Sequence, residues 1–229
     1  SSNYNGFGRE YVNYPVTNLI KIPDNIEPKI AVFLELISVS VAAYRRVQLN
    51  GDETIAIWGD GILGYILCCV LKAIHKDGKI IAVGKHENKI KQFPADKYYL
   101  IGNTNMNKEN INVAYECVGG NSSGNAINES IEIINVGGRI VLTGVAEDYV
   151  GINTRKILEK GISLYGVTRS SVFDFEKAIQ LFERDQFRAW ISRLILDEVF
   201  INNIVDYYNV FEMELENSKL GKYILNFNL

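Results

Sequence analysis

The chain has 229 residues, a formal net charge of −3 and 47% hydrophobic residues, enough for one large domain or one domain with part of another. The slight acidity gives no electrostatic basis for binding nucleic acid or an anionic membrane, and no apolar run reaches the length of a membrane span. The amino-terminal residues lack the basic, apolar, small-residue pattern of a signal peptide.

Residues 9–26, REYVNYPVTNLIKIPDNI, alternate and break at Pro15 and Pro23, which predicts short strands and turns. The chain opens without a methionine on what reads as strand material with no beginning, so the natural protein is expected to be longer. From Pro28 to about Leu49 apolar residues recur at helical spacing; Pro28 suits a first turn and Asn50-Gly51 a stop. The rhythm then becomes strand and helix in turn. TIAIWG (54–59) predicts a buried strand, residues 62–76 a helix closed by Asp77-Gly78, KIIAVG (79–84) the next strand, and HENKIKQF (86–93) a polar helix. Further strands are expected at 96–101, 112–118, 139–145 and 161–167, further helices at 125–134 and 173–185, and a closing strand in LGKYILNFNL. Near-continuous apolar strands alternating with helices predict an α/β fold, a doubly wound parallel sheet covered on both faces. The three cysteines, Cys68, Cys69 and Cys117, fit small core residues in a reducing, cytoplasmic setting better than a disulfide framework.

Within this rhythm AIWGDGILGYILC (56–68) places Gly59, Gly61 and Gly64 between the first strand and its helix, the context a dinucleotide-binding G-x-G-x-x-G must satisfy. Gly59 allows the tight turn, Gly61 leaves room for a pyrophosphate, and Gly64 lets the helix pack closely on the strand. The helix amino terminus offers unpaired N–H groups and partial positive charge to the phosphates. Asp60 must turn its carboxylate away from such a ligand. About twenty positions past the loop, NAD binders carry an acid for the ribose diol. Here Gly84, Lys85 and His86 stand instead, a gap and two groups suited to a 2′-phosphate, which predicts NADP (NADPH) over NAD. The same missing acid argues against an S-adenosylmethionine-dependent methyltransferase.

The succession GFGREYV…NLIKIPDNI, FLELISVSVAAYRR, IAIWGDGILGYI, AYECVGG, VGGRIVLTGV and INTRKILEKGISLYGVTRS resembles the medium-chain dehydrogenase/reductase superfamily of zinc alcohol and polyol dehydrogenases over nearly the whole chain. Within it, WGDGILGYI, GKHENKIKQFPADKYY and ECVGGNSSGNAIN most resemble ribulose-5-phosphate reductases, which make ribitol 5-phosphate with NADPH for cell-wall or capsule polymers. The resemblance implies a Rossmann domain at 34–169, the end of a GroES-like catalytic domain at 1–33, and a return to that domain at 170–229. Ile62 and Leu63 join the three glycines as the phosphate loop, and Lys89 matches a lysine at the adenosine ribose. Cys117, Val118 and Gly119 match the loop after the fourth strand, Gly144 and Val145 a stretch beside the nicotinamide, Thr168 and Arg169 a segment near the carboxamide, and Lys222 a basic residue near the pyrophosphate.

Glu35 resembles the glutamate of a catalytic zinc site, although Leu36 replaces the family's proline after it. A catalytic zinc needs three protein ligands and an open position. With only His75 and His86 as histidines, this chain is not expected to hold the metal, which belongs to the intact protein. The catalytic residues are therefore left unassigned. The expected chemistry of the whole enzyme is zinc-assisted hydride transfer to the ketone of a phosphorylated sugar or polyol. Arg9, Arg45, Arg46, Arg155 and Arg169 are candidates for a substrate phosphate. A homodimer through the edge strand at 161–167 and a cytidylyltransferase of the same pathway are the expected partners. Two other readings stay open: an NAD(P)-dependent polyol dehydrogenase acting on an unphosphorylated alcohol, and a non-catalytic dinucleotide-binding module.

Overall fold

Six short runs, most of them rich in apolar and β-branched residues, form the strands of one parallel sheet: β1 Thr54–Trp58, β2 Lys79–Gly84, β3 Lys97–Leu100, β4 Val113–Glu116, β5 Arg139–Leu142 and β6 Ser163–Gly166. The computed structural model describes residues 11–227. The spatial order is β3-β2-β1-β4-β5-β6, with Ile57 opposite Ala82 on one side and Tyr115 on the other. This is the doubly wound Rossmann order, and its direction reverses between β1 and β4. The inner strands are buried on both faces, which explains why they read as unbroken apolar runs rather than alternating ones.

Successive residues of β1 feed opposite cores. Ile55 and Ile57 pack with the helices of one face, while Ala56 and Trp58 pack with those of the other. The first face is covered by α2 (Leu34–Arg46), α3 (Ile62–Ile74), α7 (Val172–Leu181) and α8 (Asp185–Ser192), and the second by α5 (Ser123–Ile133) and α6 (Thr154–Lys160). From Gly64 to Leu71 every residue of α3 is buried, because the helix lies between the sheet and the outer helices α2 and α8. Each fully buried leucine or isoleucine there contributes about 1.5–3 kcal/mol relative to exposure. The Lys160 ammonium donates to the carbonyls of Ile131, Glu132 and Ile134 and so caps the end of α5.

Past α8 the chain forms β7 (Ile195–Ile201), α9 (Ile204–Leu215) and β8 (Lys222–Phe227), with β7 and β8 paired as a separate parallel ribbon. On α9 and β7, Phe200, Ile204, Val205, Tyr208 and Phe211 are exposed. No helix among the described residues is long and apolar enough to cross a membrane.

Three sequence expectations are corrected. Among the described residues, 11–27 form no strand; the turns expected at the two prolines are there, a 3-10 turn at Val16–Asn18 and a second turn from Pro23 to Ile26, within a mostly exposed, extended segment. Alternation specifies a strand only where a neighbour completes the hydrogen-bond ladder, and among the described residues no strand pairs with this segment. The helix expected from Pro28 to Leu49 is α1 (Pro28–Ala31) followed by α2, broken at Val32–Phe33 and ending at Arg46. The polar helix after β2 contracts to α4, Glu87–Ile90.

Candidate functional site

At the reversal of strand order, the carboxyl ends of β1, β2 and β4 open into a cavity of about 800 Å³. Its floor is the turn from β1 into α3. Gly59 has a φ of +126°, a conformation that side chains rarely adopt, and a Cβ there would stand 2.8 Å from the Cys117 carbonyl oxygen. At Gly64 a Cβ would overlap the carbonyl oxygen of Gly59, so α3 leaves the turn backbone against backbone. Gly61 differs: a Cβ would meet nothing within 4 Å, and its backbone lies open on the cavity. Gly61 is also the amino-terminal cap of α3, with no side-chain capping bond, so the thirteen-residue helix presents its first N–H groups to this space. These features form a cradle fitted to a phosphate-bearing ligand.

Asp60 turns away from the cradle and crosses to the end of β2. Its Oδ2 accepts from the N–H of Lys85 (2.7 Å) and His86 (2.6 Å) and lies 3.1 Å from His86 Nδ1. That crossing explains Gly84, where a Cβ would stand 2.7 Å from Asp60 Cβ and 2.9 Å from its Oδ2. The far end of the cavity is therefore lined by Lys85 and His86, with no acid on β2 itself.

The opposite wall is held by two carboxylates that the sequence reading did not single out. Glu116, fully buried at the end of β4, accepts from the N–H groups of Val118 (2.8 Å), Gly119 (3.0 Å) and Gly144 (3.2 Å). It clamps the loop after β4 to the loop after β5, and Gly120 N–H adds a bond to the Val145 carbonyl (2.7 Å). Its signal was present as an acid inside the apolar run AYECV, since a buried carboxylate needs partners. Glu129 of α5 accepts from the indole N–H of Trp58 (2.9 Å) and from Gly102 N–H (2.6 Å), fixing the tryptophan in the cavity wall. Cys117 also lines the cavity, but burial pushes its thiol up to about 12, so it is a wall and not a nucleophile.

Of the sequence-predicted residues, the cavity brings together Gly59, Gly61, Gly84, Lys85, His86, Cys117 and Val118. Ile62, Leu63 and Gly64 form the adjoining first turn of α3, Gly119 and Gly144 are held in the Glu116 clamp beside the lining, and Val145, whose carbonyl accepts from Gly120 N–H, is exposed. Lys89 sits on α4, off the cavity lining. Thr168 and Arg169 line a separate cavity of about 260 Å³ with Arg45 and Arg46. Lys222 begins β8 and pairs with Glu214, outside both linings. Among the candidate arginines, Arg45 is held by Asp174 through two bonds (3.0 and 3.1 Å), Arg155 pairs with Glu159 (2.9 Å), and Arg9 lies outside the described residues. Glu35, read in sequence as a carboxylate within an apolar helix, is exposed on the first turn of α2. No group of three His, Cys, Asp or Glu that could hold a metal occurs among the described residues, so the residues present do not fit a zinc site.

The family model for zinc-binding dehydrogenases matches residues 68–184. Ribulose-5-phosphate reductase 1 of Staphylococcus aureus is 36% identical over 234 residues, covering 98% of this chain and 67% of that protein. Ribulose-5-phosphate reductase of Streptococcus pneumoniae is 33% identical over 221 residues, covering 95% and 64%. The crystal structure of S. aureus TarJ in complex with NADPH superposes with a TM-score of 0.85 at 34% identity, over 92% of this chain and 67% of that one. The chain thus spans about two thirds of the length of these relatives. With the strand order, the glycine turn and these matches in agreement, the chain belongs to the zinc-binding, medium-chain dehydrogenase/reductase family.

Proposed function

We propose that this chain is the cofactor-binding part of an NADPH-dependent reductase that converts ribulose 5-phosphate to ribitol 5-phosphate. The observation that carries the cofactor choice is the end of β2, where Gly84 replaces an acid and Lys85 and His86 line the cavity. A 2′-phosphate placed there meets the Lys85 ammonium and the His86 ring instead of a carboxylate on the strand. Support for the substrate comes from the relatives, named as ribulose-5-phosphate reductases and aligned over almost all of this chain.

In this reading the Gly59–Gly61 turn and the first N–H groups of α3 bind the pyrophosphate, and Trp58, tied to Glu129, keeps the wall beside it rigid. The loops joined by Glu116 form the backbone wall of the nicotinamide end, with Val118, Gly119, Gly144 and Val145 setting the approach to the ring. The cofactor supplies the hydride chemistry; the chain binds it, orients it and excludes water behind it. Residues 1–33 and the apolar ribbon and helix within 170–229 are where the remainder of a longer protein joins, in keeping with the exposed Phe200, Tyr208 and Phe211. A homodimer through the free edge of β6 completes the proposal, and light scattering that finds only monomer would remove that element.

The test is NADPH oxidation by the full-length protein with ribulose 5-phosphate and with ribulose. The proposal expects turnover of the phosphorylated sugar and little of the plain one. Equal rates would make the protein a general polyol dehydrogenase.

A further inference from the structure

The loop that reads the cofactor's adenosine end is held by a residue of the glycine turn, 25 positions earlier in the chain. We infer that Asp60 is a positioning residue for cofactor choice and that it acts through His86. The inference rests on the proposed binding of NADPH in this cavity.

A carboxylate only accepts hydrogen bonds, so the 3.1 Å contact with His86 Nδ1 requires that nitrogen to carry the hydrogen. The same Oδ2 grips the backbone of Lys85 and His86, which fixes the ring in place as well as its tautomer. Nε2 is left for a ligand in the cavity that His86 lines, and the histidine side chain is half exposed, so it is reachable. An incoming 2′-phosphate brings a proton acceptor to Nε2 while Asp60 stands on the other side of the ring. With Nδ1–H taken by Asp60, Nε2 has a hydrogen to give a phosphate only while the ring is protonated, and a ribose hydroxyl needs no such charge. Asp60 itself does not face the phosphate as a bare charge, because its Oδ2 already takes two backbone donors and the ring. The other charged groups around His86 are Lys85, Glu87 and Lys89 of its own segment and Glu129 across the cavity, where Trp58 and Gly102 occupy the carboxylate.

The preference for NADPH over NADH should therefore fall as pH rises through the range where imidazoles lose their charge. The experiment is a set of NADPH and NADH titrations from about pH 6 to 8.5 on the wild-type chain, His86→Gln, Asp60→Asn and the double variant. Asparagine keeps an acceptor oxygen for the two backbone N–H groups and removes the charge. Whatever slope His86→Gln retains belongs to the ionisation of the 2′-phosphate, and the wild-type chain should be steeper than it. Asp60→Asn should lower the preference for NADPH about threefold near neutrality, the size of one partly exposed charge pair, and should add nothing in the His86→Gln background.

Identical slopes in wild type and His86→Gln would overturn the inference, as would a gain in NADPH preference on Asp60→Asn, the result of simple repulsion. Nitrogen NMR of the wild-type ring decides the geometry even where the asparagine variant does not fold: a hydrogen on Nδ1 in the neutral ring is required, and a hydrogen on Nε2 alone refutes the pairing. A chain that binds neither dinucleotide at any pH removes the proposed function as well; one that binds both with the wrong pH behaviour removes only this inference.

Discussion

Gly64 and Gly61 are three residues apart in one motif, yet the structure gives them opposite roles, and alanine substitutions separate them. At Gly64 an alanine Cβ would overlap the Gly59 carbonyl oxygen and stand 3.1 Å from its carbon. Backbone forms both sides of this contact, so no side chain can rotate to relieve it. Overpacking of that kind lies toward the upper end of the usual range of about 1–3 kcal/mol, and the helix propensity of alanine returns about 1 kcal/mol. The net loss is about 2 kcal/mol, which for a chain of this size lowers Tm by about 4–8 °C. Gly61→Ala is the matched case. Its φ is −88° and its Cβ meets nothing within 4 Å, so Tm should move by no more than about 2 °C. The methyl group would instead occupy the floor of the cavity and weaken NADPH binding about tenfold or more, ~1.4 kcal/mol. Circular dichroism melts and fluorescence titrations on the two variants measure both quantities. A Gly64→Ala protein that melts with wild type, or a Gly61→Ala protein that melts low while binding NADPH normally, would refute the reasoning.

Three more outcomes follow from buried polar groups. The Tyr115 hydroxyl is buried and has no hydrogen-bond partner among the described residues. Tyr115→Phe should therefore leave stability unchanged or raise it by up to about 1 kcal/mol in denaturant melts, and a loss of that size would reveal a partner. Glu116→Gln puts an NH₂ group against one of the three N–H donors of the clamp, so it should cost roughly 1–3 kcal/mol and weaken NADPH binding together with stability; intact binding on a destabilised chain would detach the clamp from the site. Burial by itself would raise the Glu109 carboxyl, but Lys79, Lys97 and the Tyr99 hydroxyl outweigh it and hold the group down to about 2. A carboxylate depressed in the folded state stabilises above its unfolded value, about 4.3, and that contribution is lost as pH falls toward 2. Melting curves should show this decline in wild type and a shallower one in Glu109→Gln.

The parallel sheet was legible because burial on both faces leaves short, unbroken apolar runs bounded by glycine, shorter than the equally buried run of α3. IAIW, IIAV and VAY carry no polar residue, and the glycine turn lies where β1 has to meet α3. The elements that went unread obey different constraints. β7 carries Asp197 and Glu198 at its middle because it belongs to a two-stranded ribbon with solvent on it, and α9 keeps Tyr208, Phe211 and Leu215 exposed, so neither shows a one-sided pattern. The break at Val32–Phe33 has no glycine or proline to announce it, since Ile30, Ala31, Phe33 and Leu34 are buried on both sides of the kink. In the site, the glycines and the Gly84–His86 stretch were readable from spacing to the first strand. The reach of Asp60 across to a second strand, and the grip of Glu116 on two loops, depend on tertiary geometry that spacing does not encode. Both were visible only as carboxylates in unusual places.

Cofactor binding and cofactor choice are tested together by the intrinsic fluorescence of this chain during titration with NADPH and, separately, with NADH. Trp58 is fully buried in the cavity wall beside Gly59, and a Trp58→Phe variant retains only Trp190, so its difference from wild type isolates the Trp58 signal. The expected result is a saturable signal that depends on Trp58, with NADPH bound at least about tenfold more tightly than NADH, ~1.4 kcal/mol. Equal or tighter binding of NADH would contradict the reading of Gly84, Lys85 and His86, and the absence of any response to either dinucleotide would contradict the assignment of the cavity itself.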